Sequence, residues 1–256
     1  MLSVLTIAGS DPTGGAGVQA DLKTLFAHGV HGTSAITAVT VQNSAGVQSI
    51  FGIPAYIVAG QIRAVFDEFD IKAIKIGMMP SAEVAEAVAG VLADHVGKPI
   101  VIDPIFSASA GQRLSTDDAI AASKELLFPL ATVITPNCEE ASLLSGVKID
   151  SPEAMRTAAD RIIDGGCRAV LITGGHTVFA PATDFLFING GVEEFRGSFV
   201  SDYLVHGAGC SFSSAIAAVC AEGVDVRQAV MLAKAYVNTA IAKAPAIGGA
   251  RRPLKH

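Results

Sequence analysis

The sequence contains no tryptophan, few aromatic residues of any kind (6%) and few charged residues (16%). Half of its 256 residues are hydrophobic, so aliphatic side chains rather than aromatic rings must fill the core. This composition is typical of a parallel β-sheet covered by helices. The length allows one large domain or two small ones.

Basic residues are also scarce, because 18 Lys and Arg stand against 24 Asp and Glu, a formal net charge of −6. This charge argues against nucleic acid or an anionic membrane as a partner. No apolar run has the composition of a membrane span, and the N-terminus lacks the pattern of a signal peptide. The four cysteines form no C-x-x-C pair and show no metal-ligand spacing. We therefore expect a cytoplasmic protein with reduced thiols.

Short apolar runs alternate with amphipathic segments along the chain, and this alternation predicts one domain, residues 1–256, with a mostly parallel sheet. The predicted strands are residues 2–8, 33–42, 71–76, 99–102, 131–135 and 169–173. The predicted helices are residues 17–28, 54–69, 81–95, 116–127, 152–164, 209–222 and 226–244. A hairpin is predicted over residues 182–188 and 192–199, with its turn at Asn189-Gly190-Gly191.

A glycine-rich loop, GSDPTGGAG, joins the first predicted strand to the first helix and predicts a ligand site. The residues from Gly15 to Ala20 fit the dinucleotide pattern G-x-G-x-x-A. That pattern also needs an acidic residue about 20 positions further on to bind the ribose. No Asp or Glu occurs between Asp21 and Asp67, so we reject NAD binding.

A second glycine-containing stretch, VHGAGCSFSSAIAA from Val205 to Ala218, begins a predicted helix. Free N–H groups at such a start attract anions. Cys210 lies in the first turn, where a thiol is expected to have a lowered pKa. An anion site beside a proton acceptor is what phosphoryl transfer to a hydroxyl needs. The alternative is a turn before a core helix with a buried structural cysteine.

Several polar residues stand where predicted strands end. The carboxamide of Gln42 can both donate to and accept from a flat heterocycle, whereas Asn43 is more typical of a turn. Asp103 follows a buried strand and is expected to face the ligand crevice. Asn137 and Glu140 fit a metal or phosphate site, but in isolation they are better explained as a helix cap.

Taken in order, the motifs AGSDPTGGAGVQADLKT, TAVTVQN, KIGMM, DPI, TPNCEEA, TGGH and HGAGC resemble the hydroxymethylpyrimidine phosphate kinases of thiamine biosynthesis. These kinases belong to the ribokinase-like superfamily, and the resemblance covers essentially the full length. It implies a three-layer α/β/α fold around a mostly parallel sheet. It also implies phosphorylation of 4-amino-5-hydroxymethyl-2-methylpyrimidine and then of its monophosphate by ATP with Mg²⁺, in a homodimer.

The resemblance assigns roles to individual residues. The substrate-binding residues it implies are Gly9, Ala16, Asp21, Thr40, Gln42, Met78 and Ile105. The transfer site it implies is the anion hole Gly207, Ala208, Gly209 and Cys210, with the Cys210 thiolate as base. The residues it implies for the nucleotide side are Asp103, Asn137, Thr173, Gly174, Gly175 and His176, and those for the metal are Glu140 and Asp103.

The chain departs from the family pattern at four positions. Thr173 and Ser109 replace basic residues near the phosphates, Ala208 replaces a threonine, and Phe106 replaces a methionine. One charge-assisted contact is worth about 1.5–3 kcal/mol, so each lost cation predicts slower turnover rather than none.

Two alternatives remain open. Pyridoxal also carries a ring CH2OH group, so a pyridoxal kinase of the same superfamily would have the same chemistry. The lost cations also leave open a pyrimidine-binding protein without kinase activity, which would bind the ligand and release no ADP.

Overall fold

The computed structural model describes residues 1–108, 111–174, 179–197 and 203–256. The strands are β1 Ser3–Ser10, β2 His31–Asn43, β3 Gly46–Gly52, β4 Ile71–Ile76, β5 Ile100–Ile102, β6 Val133–Ile134, β7 Ala169–Ile172, β8 Thr183–Ile188, β9 Gly191–Arg196, β10 Val205–His206 and β11 Arg252–Pro253. The helices are α1 Gly17–Ala27, α2 Ala55–Glu68, α3 Ala82–Leu92, α4 Asp117–Ala122, α5 Cys138–Ser145, α6 Pro152–Asp164, α7 Ala208–Ala221 and α8 Val226–Ala242.

Nine of the strands in the described residues form one sheet, in the order β3-β2-β1-β4-β5-β6-β7-β8-β9. The strands from β2 across to β7 run parallel. Antiparallel strands complete both edges, with β3 beside β2 and the β8–β9 pair beside β7. The prediction of a mostly parallel sheet is confirmed.

Successive residues of the central strands point to opposite faces of the sheet and fill two separate cores. Val4 packs with residues of α1, α7 and α8, whereas its neighbour Leu5 packs with residues of α2 through α6. The predicted three-layer arrangement is therefore confirmed, with alanine, valine and isoleucine dominating both cores.

Some elements differ from the predictions. The prediction missed β3, because most of this edge strand is exposed and its sequence shows no regular apolar alternation. The predicted helix over 116–127 is α-helical only to Ala122 and continues as a π-helical turn. The predicted hairpin is present, and Asn189 and Gly190 both have positive φ at its turn. Its second strand ends at Arg196, and residues 198 and 199 of the predicted strand lie outside the described residues.

In the part of the chain that the structure describes, no helix combines the length and apolar character needed to cross a membrane. All four cysteines are free thiols.

Candidate active site

The predicted site residues gather at the edge of the sheet where the parallel strands end. Gly9 lies near the end of β1, Met78 lies two residues beyond β4, and Asp103 directly follows β5. The neighbouring strand β2 contributes Thr40, whose hydroxyl donates to the carbonyl of Ser10 at 3.0 Å. The carboxyl ends of parallel strands form the ligand crevice of open α/β sheets, so these residues share one crevice.

Helix α7 begins at this crevice without a capping side chain. Its N-cap residue, Gly207, has a left-handed backbone with φ of 81°, which favours glycine. The N–H groups of Ala208, Gly209 and Cys210 therefore lie in a first turn that no side chain caps. Such a turn carries partial positive charge and is suited to an anion.

Gly15 and Gly207 allow the start of α7 to contact the glycine-rich loop between β1 and α1. A Cβ atom on Gly207 would overlap the carbonyl oxygen of Gly15 and would lie 3.1 Å from Cα of Ala16. A Cβ atom on Gly15 would in turn collide with the ring of His206. The two glycine-rich stretches found in the sequence are thus neighbours, and their contact leaves no room for side chains.

A buried ion pair lies beneath the crevice. The Nζ atom of Lys75 is 3.1 and 3.0 Å from the two carboxylate oxygens of Asp21, and neither side chain is exposed to solvent. Thr6 and Ser214 donate further hydrogen bonds to this carboxylate, at 2.6 and 2.8 Å. The predicted contact between Asp21 and substrate does not fit this arrangement, because both oxygens are buried and already bonded. The role of Asp21 is to neutralise Lys75.

Lys75 is the largest fully buried side chain described. Burial acts to lower its pKa, but the charges of Asp21, Cys210 and Asp103 outweigh burial and raise it, so the ammonium is charged. A Cβ atom on Gly77 would lie 2.9 Å from Nζ, so glycine there makes room for the ammonium. Sequence reasoning missed this residue, although a lysine within an apolar strand was a signal.

The predicted lowering of the Cys210 pKa is wrong for this structure. Burial raises the pKa of the thiol to about 12 against the opposing charge of Lys75, and the negative charges of Asp103 and Asp21 add to the increase. The helix-start effect lowers the pKa of exposed thiols, whereas Cys210 is only 6% exposed. The thiol is therefore protonated at neutral pH.

Two acidic residues, Asp103 and Glu140, lie close enough for the charge of Asp103 to affect Glu140. Burial raises the pKa of Asp103 to about 6, with the charge of Asp21 adding to the effect, and Ser213 donates to its Oδ2 atom at 3.2 Å. Burial raises the pKa of Glu140 to about 8, with the charge of Asp103 adding to the effect. A divalent cation would relieve this repulsion, so the donor set fits Mg²⁺.

Asp103 and Glu140 alone provide too few ligands to complete a metal site. The described residues contain no cluster of three or more His, Cys, Asp or Glu side chains placed to hold a metal ion. Mg²⁺ is usually bound by one or two carboxylates together with substrate phosphates and water. The pair Asp103 and Glu140 matches that pattern.

Asn137 and Glu140 also form the capping box that the sequence favoured. The Asn137 side chain accepts from the N–H groups of Glu139 and Glu140, and Glu140 accepts from the N–H of Asn137. The next strand end lies beside this cap, because Thr173 donates its N–H to the carbonyl of Pro136 at 2.9 Å.

The predicted nucleotide loop is described only in part. Gly174 donates its N–H to Oδ1 of Asp184 at 3.0 Å, and Lys234 donates to Oδ2 of the same carboxylate at 2.7 Å. Lys234 is a cation beside this loop that the prediction missed. The predicted residues Gly175 and His176, like Ser109, lie outside the described residues.

The predicted ring-binding residues form one side of the crevice. A Cβ atom on Gly9 would lie 3.0 Å from the sulfur of Met78, so glycine allows this methionine to approach β1. Met78 is held from behind by the hydroxyl of Thr37, which donates to its carbonyl at 2.7 Å. Ile105 is partly exposed across the crevice, with its carbonyl bonded by Ser115.

A chain of polar side chains links Gln42 to the start of α7, and sequence reasoning missed most of it. Gln42 lies 3.3 Å from Nε2 of His206, the residue just before Gly207. The same Nε2 lies 2.9 Å from Oδ2 of Asp11. Gln19 accepts from the N–H of Asp11 and donates to Ser10. Asp11, Gln19 and His206 all lie within the quoted motifs, which was the available signal.

Comparison with known proteins identifies the family. Residues 11–255 match the family model described as phosphomethylpyrimidine kinase. A hydroxymethylpyrimidine/phosphomethylpyrimidine kinase of Rhizobium meliloti is 45% identical over 98% of this chain and 96% of its own length. The thiamine biosynthesis bifunctional protein ThiED of Geobacter sulfurreducens is 42% identical over 99% of this chain, which spans about half (52%) of that longer protein.

A solved structure is also similar. An ADP complex of Bacillus subtilis pyridoxal kinase superposes with a TM-score of 0.90 and 35% sequence identity, covering all of this chain and 97% of the other. The protein is thus also similar to a kinase that is named for a different substrate.

The buried ion pair generates a prediction about stability. Replacing Lys75 with Met leaves the Asp21 carboxylate without its counter-charge and should lower the free energy of unfolding by about 3–5 kcal/mol. Urea denaturation at pH 7.5 measures this loss. The additional change Asp21→Asn should recover part of it, because the unpaired charge is then absent.

The matched control is Lys72→Met, three residues earlier on the same strand. Lys72 pairs with Asp70, but both side chains are exposed, and this change should cost less than about 1 kcal/mol. Equal losses in the two variants, or no recovery in the double variant, would contradict the proposed role of the buried pair.

Proposed function

The chain belongs to the phosphomethylpyrimidine kinase family, and we propose that it phosphorylates 4-amino-5-hydroxymethyl-2-methylpyrimidine and then its monophosphate, with ATP as the phosphoryl donor. The family acts in thiamine biosynthesis. The observation that carries the proposal is the uncapped start of α7, which lies one residue from a histidine that contacts Gln42. An anion site and a heterocycle-binding amide are therefore adjacent, within one ribokinase-like domain of residues 1–256.

The main contribution to catalysis in this proposal is positioning. The substrate hydroxymethyl group lies between Cys210 and the γ-phosphate of ATP. The N–H groups of Ala208, Gly209 and Cys210 bind the transferring phosphoryl group while its charge redistributes. The ion pair of Lys75 and Asp21, close enough to Cys210 for both charges to influence its pKa, supports this turn from behind and carries no net charge.

Asp103 and Glu140 are the residues that would hold Mg²⁺, since their chemistry fits such an ion. The ion supplies charge neutralisation on the phosphate oxygens. Thr173 and Gly174, together with Gly175 and His176, are proposed to contact the nucleotide. The capping box fixes the Glu140 carboxylate in place, with Oε2 accepting from the N–H of Asn137 at 2.8 Å.

A coupled assay tests the function directly. Purified protein with ATP and Mg²⁺ should release ADP when the hydroxymethylpyrimidine is added, and again when its monophosphate replaces it. A chelator should stop the reaction and added Mg²⁺ should restore it. Pyridoxal is assayed in parallel.

The outcomes separate the alternatives. Faster turnover of pyridoxal than of the pyrimidine would make the protein a pyridoxal kinase. Pyrimidine binding with no ADP release would make it a binding protein. Turnover of the alcohol but not of the monophosphate would show that the second step needs the cations absent at Thr173 and Ser109.

Cys210 is proposed to accept the hydroxyl proton, although its thiol is protonated in the ligand-free state. Because the pKa of the thiol is raised to about 12, the thiolate fraction and hence the rate should rise as pH increases from 7 to 9. Cys210→Ala should lower kcat by on the order of 10²-fold, at the low end of general-base effects, and should reduce the rise with pH to the part that comes from Glu140, whose pKa of about 8 lies in the same range.

The control for this variant is Cys220→Ala, which removes a buried thiol further along the same helix. That change should leave both the rate and its pH dependence nearly unaltered. An unchanged rate in Cys210→Ala, with the same pH profile as the unaltered protein, would remove Cys210 from the role of base.

We also propose that the protein is a cytoplasmic homodimer, with the outer face of the β2–β3 hairpin in the interface. Val39, Val41 and Phe51 are 41%, 56% and 64% exposed, and Val39 is paired with Phe51 across the two strands. β3 is also an unpaired sheet edge, so a second copy can cover both features. The alternate residues Thr40 and Gln42 face the crevice, so dimerisation would support the ring-binding side.

Phe51→Asp should shift the protein from dimer to monomer in analytical ultracentrifugation, because it places a charge in the proposed apolar interface. Phe26→Asp is the matched control, since Phe26 is 84% exposed on α1, away from the hairpin. A monomeric unaltered protein at tens of micromolar would refute the proposal, as would a Phe51→Asp variant that remains dimeric.

A further inference from the structure

The environment of His206 determines where its proton lies. Its Nε2 atom is 2.9 Å from Oδ2 of Asp11. The Asp11 carboxylate also accepts from the N–H groups of Thr13 and Ala16 and from the Thr13 hydroxyl. These bonds and that to His206 outweigh burial and lower the pKa of Asp11 to about 2. An ionised carboxylate can only accept a hydrogen bond, so Nε2 of His206 must carry a hydrogen.

This proton fixes the orientation of the Gln42 carboxamide. A protonated Nε2 cannot accept a hydrogen bond from the NH2 group of Gln42, which would lie 3.3 Å away. The amide oxygen and nitrogen are assigned from the hydrogen-bond network rather than observed. The consistent assignment places the Gln42 oxygen toward His206 and the NH2 group toward the hydroxyl of Thr40.

The rest of the network agrees with this orientation. The Thr40 hydroxyl is 3.2 Å from the outer end of the Gln42 amide and donates its hydrogen to the carbonyl of Ser10 at 3.0 Å. Its oxygen is therefore free to accept from the Gln42 NH2 group. In this arrangement each of these donors has an acceptor, with the single Nε2 hydrogen shared between Asp11 and the Gln42 oxygen, and reversing the amide would place two donors together at His206.

The orientation matters for the ring that Gln42 would bind. His206 directly precedes the anion-binding turn, so the carbonyl end of Gln42 lies on the side where the reacting CH2OH group must be. In the aminopyrimidine, the carbon beside the CH2OH-bearing carbon carries an NH2 donor, and the next ring atom is an accepting nitrogen. These two groups match the oxygen and the NH2 group of Gln42 in order.

Pyridoxal presents the opposite order along this edge. Its carbon beside the CH2OH-bearing carbon carries an aldehyde, which only accepts, and the next carbon carries a hydroxyl. The aldehyde would face the Gln42 oxygen, so two acceptors would meet. Resting on the proposed function, we propose that His206, held by Asp11, is a specificity-determining positioning residue that fixes the Gln42 amide and thereby selects the aminopyrimidine over pyridoxal.

Calorimetry with 4-amino-5-hydroxymethyl-2-methylpyrimidine and with pyridoxal tests this proposal, because the ratio of the two affinities is defined whether or not the protein turns them over. His206→Ala should lower the preference for the pyrimidine by about tenfold, the value of one hydrogen bond. Asp11→Asn should act similarly while keeping the shape of the side chain. His206→Gln, which retains a donor toward Asp11, should restore much of the preference.

A double-mutant cycle separates positioning from a general structural effect. In a Gln42→Leu background, His206→Ala should not change the ratio further, since no amide remains to be oriented. His31→Ala, an exposed histidine at the opposite end of β2, is the control and should leave the ratio unchanged.

Three results would overturn the proposal. The ratio could be unaltered in both His206→Ala and Asp11→Asn, it could fall equally in the Gln42→Leu background, or neither compound could bind the unaltered protein. Pyrimidine binding with the expected changes in ratio, but with no ADP release in the coupled assay, would support the inference and refute the kinase function instead.

Discussion

The buried ion pair between Lys75 and Asp21 is the interaction on which the geometry of the crevice depends. It joins four elements, because Thr6 of β1 and Ser214 of α7 bond the same carboxylate that α1 and β4 bring together. An unpaired charge at this depth would cost several kcal/mol. The start of α7 is therefore held against the strand ends by charge as well as by apolar packing.

This arrangement also explains how an acidic protein can hold a polyphosphate. The net charge of −6 repels anions at long range, so positive potential must be local. The uncapped amides of α7 supply this local potential, whereas the charge of Lys75 behind them is neutralised by Asp21. The burial that fixes Lys75 also raises the pKa of the Cys210 thiol. The start of α7 therefore provides an anion site without also ionising its cysteine.

The sequence predicted the features that depend on neighbouring residues and missed those that depend on distant ones. Strand ends, the capping box of Asn137 and the turn at Asn43, where its side chain accepts from the N–H of Ala45, follow from local pattern. The pairing of Lys75 with Asp21 joins residues 54 positions apart, and the partner of His206 lies 195 positions away. The thiol pKa was wrong for a related reason, since the helix-start rule takes no account of burial.

The division of roles within the crevice bears on how related kinases can differ in substrate. The residues proposed for phosphoryl transfer lie on central strand ends and on α7, close to the buried ion pair of Lys75 and Asp21. The residue proposed to recognise the ring, Gln42, lies on β2 near the edge of the sheet, and in our proposal the direction of its amide depends on His206. Reversing that amide would exchange a donor for an acceptor without moving the backbone. A fold shared with a pyridoxal kinase is therefore compatible with a different ring preference, because that preference requires only a change in the hydrogen bonding around Gln42.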